Sequence, residues 1–100
     1  MEKFVFVVML EEAYMHHYEM FNSELICVCE SEGDGYKYAD AYMNNIVDKL
    51  KGLDPETYGY YRLDNKRRDL QTISYWSNKY ETNIDAYVRV VCTPYVKKHA

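Results

Sequence analysis

Ala39, Tyr42, Met43, Ile46, Val47 and Leu50 recur at steps of three and four residues, the clearest helical period in this chain of 100 residues. That spacing places them on one stripe of an amphipathic helix, with Asp40, Asn44, Asn45, Asp48 and Lys49 on the opposite side. Lys49 and Lys51 suit the negative end of the helix dipole, and Gly52 suits the stop. The spacing predicts one main helix over about 37–51, and the other apolar segments read as strands.

Phe4 to Leu10 (FVFVVML) is continuously apolar and rich in β-branched and aromatic side chains, the pattern of a strand buried on both faces. Leu25 to Cys29, Tyr58 to Leu63, Leu70 to Trp76 and Ile84 to Thr93 supply four more strands, and Pro94 ends the last of them. Residues 11–22 carry both periods: Tyr14, His17, Tyr18 and Phe21 share a helical face, while Tyr14, His16, Tyr18 and Met20 alternate. An extended hairpin arm is the preferred reading, with a turn at Asn22-Ser23. Glu30 to Gly35 reads as a loop, Asp54-Pro55-Glu56 as a turn or helix cap, and Ser77 to Asn83 as a loop or one helical turn. Val96 to Ala100 reads as a frayed basic tail.

The order β-β-α-β-β-β fits a single small α+β domain: a mainly antiparallel sheet of four to five strands with the helix on one face. The face without the helix is expected to carry many of the twelve tyrosines. The apolar run Phe4 to Leu10 is far shorter than the ~20 residues of a membrane span, and Glu11-Glu12 follow it at once, unlike a signal peptide. Three cysteines leave one over from any pairing, which argues against a disulfide-stapled secreted domain. A cytoplasmic protein without a membrane role is the expectation.

Candidate chemistry is sparse. Glu30, Glu32, Asp34 and Gly35 match the start of a calcium loop, but Ala41 stands where the bidentate glutamate belongs. They read instead as an acidic surface. Cys27 and Cys29 point the same way on a strand, and Cys92 could approach them, a partial zinc set. Their alternation with Ile26 and Val28 reads better as small buried hydrophobes. His16 and His17 are adjacent and diverge, so only one of them could serve as a general base, and no nucleophile stands beside them. A small enzyme or metal-dependent protein around these histidines and the cysteines is therefore the weakest reading. No catalytic residue, metal or cofactor is expected.

Tyr58 to Arg68 (YGYYRLDNKRR) joins an aromatic strand to a basic connection. Tyr58, Tyr60, Tyr61, Arg62, Lys66, Arg67 and Arg68, with Trp76 nearby, form the expected partner-binding set. Stacking aromatics beside cations also suit single-stranded nucleic acid, and Tyr75 and Arg89 could extend such a platform. The overall charge of −4 opposes that reading. From Met1 to Gly35 stand eight acids and one base, while the rest holds eight acids and eleven bases. That asymmetry can steer a charged partner.

Small size, many tyrosines, an acidic balance and the lack of catalytic grammar make the composition similar in style to phage-encoded inhibitors of bacterial defence systems. The resemblance is one of composition and carries over no site. It implies a non-catalytic protein-interaction module, in its most concrete form an inhibitor of a host nucleic-acid-processing complex. A nucleic-acid binder using Tyr58 to Arg68 is the alternative. Strand addition at a sheet edge could also pair two copies of the chain.

Overall fold

The computed structural model describes residues 3–15, 19–51, 60–77 and 79–95, and their side chains except at 51, 60 and 61. Five strands and one helix follow in the order β1 Phe4–Tyr14, β2 Glu19–Cys29, α1 Glu32–Lys51, β3 Tyr60–Asp64, β4 Leu70–Ser77 and β5 Thr82–Pro94. All neighbouring strands are antiparallel, and the sheet order is β2-β1-β5-β4-β3. The expected α+β architecture is therefore present, with α1 lying across β5, β1 and β2.

The alternation of β1 assigns the two faces. Val8 and Leu10 pack with Ala39, Met43, Val47 and Leu50 of α1, and with Ile73, Ala86 and Val88 of β4 and β5. Burying each larger side chain of this set contributes roughly 1.5–3 kcal/mol. The expected helical stripe is thus the buried one. Its start differs: the helix begins at Glu32, so Glu32 to Gly35 are its first turn and not a loop. Ser31 caps that turn, its Oγ accepting from the Asp34 N–H at 3.2 Å. Glu32 and Asp34 sit at the positive end of the helix dipole. Gly35 lets the turn approach the sheet, since a Cβ there would lie 3.1 Å from Val90 and 3.4 Å from Phe6.

Within the arm, the residues 11–14 and 19–22 are extended and pair with one another, in keeping with the alternating pattern. Asn22-Ser23 is not a turn: the two residues pair with Glu12 and Glu11 inside β2. β2 reaches this length by two irregularities, between Val8/Met9 and Glu12/Ala13 of the partner strand, where Ile26 and Phe21 are the extra residues. Phe21 stacks on Tyr14 at 4.4 Å, and both touch Tyr80 in the β4–β5 turn. This aromatic cluster joins β1 and β2 to the β4–β5 turn. Glu81 closes that turn with a left-handed backbone, φ 53°. His16, His17, Tyr58, Asp54-Pro55-Glu56 and Val96 to Ala100 lie outside the described residues.

Candidate functional site

One helix covers one face. The other face of the sheet is built from cross-strand rows that the ladder registers define. The first row is Val28–Val7–Val91 and the second Leu25–Met9–Arg89–Leu70. The third is Ser23–Glu11–Tyr87–Thr72–Asp64, and the fourth Met20–Ala13–Asp85–Ser74–Arg62. Trp76 stands beyond the fourth row on β4. Leu25 is 58% exposed, Val28 54%, Met20 51%, and Val91 and Trp76 37% each. Val7 and Met9 between them are half-buried. Two adjoining rows of apolar side chains therefore face outward together, which is a patch and not scattered exposure.

Two polar pairs of this face are formed within the chain. Arg89 Nε lies 2.9 Å from Glu11 Oε1, a charge contact out of line for a hydrogen bond. Asp85 accepts a short hydrogen bond from the Ser74 hydroxyl, and both side chains are buried. Removing a buried partner of this kind leaves a costly unsatisfied group, so the pair is best read as structural. Among the described residues, no group of three or more His, Cys, Asp or Glu is placed to hold a metal ion.

The structure divides the sequence-predicted partner-binding residues. Arg62 and Trp76 share the helix-free face, where Arg62 pairs with Ser74, two residues from Trp76. Lys66, Arg67 and Arg68 lie in the β3–β4 connection at the opposite end of β4. The six residue steps from Leu70 to Trp76 put them about 20 Å apart at ~3.3 Å per residue. Arg67 holds Asp69 at 2.9 Å, which raises the guanidinium and lowers the carboxyl from their ordinary values. Arg68 turns toward the helix, where Nη2 reaches Asp40 at 2.7 Å and its guanidinium covers the Tyr36 ring. Gln71 donates to the other Asp40 oxygen at 2.7 Å. Asp40, Asn44, Asn65, Arg68 and Gln71 line a polar cleft of about 300 Å³. Two of the three cations of the tract thus hold carboxylates of their own chain. Tyr60 and Tyr61 belong to β3, and Tyr58 lies outside the described residues. Tyr75 and Arg89 take opposite faces, so these two do not extend one surface together.

The acidic set is also divided. Glu30 pairs with Lys3 at 3.1 Å, Glu32 accepts from the Tyr36 hydroxyl at 2.6 Å, and Asp34 belongs to the capped turn. Cys27 and Cys29 do point the same way, with their sulfurs 3.7 Å apart. Burial first, then Cys29, pushes the half-buried Cys27 thiol up to about 11, away from the range of a reactive thiolate. Cys92 is exposed and aligns with Phe6, which stands between it and Cys29.

Most of the described tyrosine side chains avoid the open face. Tyr75 points to the helix side and donates to Glu12 at 3.2 Å; Tyr36, Tyr38 and Tyr42 are on α1. Of the described tyrosine side chains, Tyr87 alone stands in the rows above. Valine, leucine and methionine take the outward positions instead. The signal for this was the unbroken run Phe4 to Leu10: its odd positions are apolar, although among the described residues the one helix lies on the other side of the sheet.

Compared with known proteins, the chain matches no family model, no curated protein and no solved structure.

Proposed function

We propose that the chain is a non-catalytic protein-interaction module that binds its partner through the helix-free face of the sheet. The single observation that carries this reading is the apolar side chains of two adjoining rows, Val28, Val7 and Val91 with Leu25, Met9 and Leu70, exposed or half-buried on a face where the intervening Arg89 is paired with Glu11. Covering such side chains gains roughly 25 cal/mol per Å² of apolar surface removed from water. Leaving the Glu11–Arg89 pair intact adds no unpaired charge to the contact. Trp76 and Arg62 are residue types that anchor interfaces, and they stand together at the margin of this face.

The test is affinity capture with tagged wild-type protein and two variants, Val91→Lys with Trp76→Ala, and Arg67→Glu with Arg68→Glu, each with and without nuclease. The expected result is one dominant protein that survives nuclease, is lost with the first variant and persists with the second. Capture of nucleic acid alone, released by salt and abolished by the second variant, would overturn the reading.

A further inference from the structure

The sheet has two edges. β3 is five residues long, whereas β2 is eleven and, among the described residues, pairs with β1 alone, so no described strand lies beside its outer backbone groups. Exposed edges are commonly blunted by lysine, proline or bulges. β2 (EMFNSELICVC) contains no lysine, arginine or proline. Its two bulges leave a regular stretch, Asn22 to Leu25, between them.

The two sides of this edge differ in chemistry. Met20, Leu25 and Val28 project to the helix-free side and are exposed. Glu19, Asn22 and Glu24 project to the helix side, in register with Tyr14, Glu12 and Leu10. Asn22 donates to Glu12 at 2.8 Å, while Glu19 and Glu24 are exposed and have no ion pair among the described residues. Glu11, Glu30, Asp40 and Asp69, by contrast, each face a cation.

Resting on the interaction reading above, we infer that the β2 edge receives an extended segment of the partner as a sixth strand, with basic residues alternating with apolar ones. Main-chain hydrogen bonds supply affinity in strand addition, and the alternating side chains supply specificity. On one side the segment's basic residues meet Glu19 and Glu24; on the other its apolar residues extend the rows of Leu25 and Val28. Opposite charges across a strand pair stabilise and like charges destabilise. A second copy of this chain is the poorer occupant, because its β2 brings two acids and no base to the same ladder, and each copy carries −4.

The probe is an acetylated, amidated nine-residue peptide alternating lysine with valine and threonine, and its counterpart with glutamate for lysine. Backbone amide NMR shifts and hydrogen exchange are read on the full chain. The lysine peptide is expected to shift and protect β2 amides around Asn22 to Leu25, and the glutamate peptide to leave them unmoved. Glu19→Lys with Glu24→Lys, both exposed positions, should weaken the lysine peptide at least tenfold, with an unchanged circular dichroism spectrum. Absence of binding overturns the inference, as do shifts centred on Val7, Met9 and Val91 with wild-type affinity in the double variant. If the edge fails in this way while the captured partner still depends on Val91 and Trp76, the interaction reading stands without it. If the partner ignores Val91 and Trp76 as well, both fall.

Discussion

Tyr75 and Cys27 show how single side chains report the packing around them. Burial, and then the Glu12 carboxylate, raises the Tyr75 phenol above its ordinary value of 10.0. Cys27 is raised from 9.0 to about 11, again chiefly by burial. In both cases the folded chain keeps a proton that the unfolded chain releases. The stabilisation is whole below the unfolded value and is lost as pH climbs through the folded one. Denaturant midpoints followed from about pH 8 to about pH 11 should therefore fall progressively above pH 9. Tyr75→Phe should fall less steeply above pH 10, whatever its stability at neutral pH. Equal slopes in the two proteins would mean that Tyr75 is not held as described. Neither group's environment was legible in the sequence, because Glu12 meets Tyr75 only through the alignment of three strands.

At the scale of elements, spacing located the helix stripe and the five strands, but local chemistry moved their ends. The segment Ser31-Glu32-Gly33-Asp34-Gly35 has the glycines and Asp-Gly of a loop. It is helical because Ser31 supplies the cap and the acids complement the dipole. Ser31→Ala is expected to cost about 1 kcal/mol, and a Gly33→Ala change, with open space around it, to recover up to about 1 kcal/mol by helix propensity. Thermal or urea denaturation checks both, and stability unchanged by Ser31→Ala would remove the cap from the account. Asn22-Ser23 misled for the opposite reason. Turn-forming residues were overridden by nine paired positions along β1, with the irregularities absorbed at Phe21 and Ile26.

At the scale of the whole molecule, the radius of gyration of 15.3 Å exceeds the ~13 Å of a compact chain of this length. Among the described residues one helix lies over the five strands, and the second sheet face exposes Leu25, Val28, Val91 and Met20 while Ala13, Ser74 and Asp85 are buried. The sequence pattern announced one helix and a continuously apolar strand, and the two statements conflict unless something else covers that strand. The basic tract Lys66 to Arg68 looked like the contact surface because charge is visible in sequence while its partners are not. Asp40 and Asp69 neutralise two of its cations, one across 28 residues of chain. The apolar rows escaped notice because they join residues from strands far apart in sequence.

The openness of that face is the premise of everything functional here, and solvent access to its methyl groups measures it directly. A soluble paramagnetic agent added to methyl-labelled protein should strongly broaden Leu25, Val28, Val91 and Met20, and spare Val8, Val47, Ile73 and Val88. Equal protection of both sets at dilute concentration would mean that the face is covered within the chain itself, and would contradict the account.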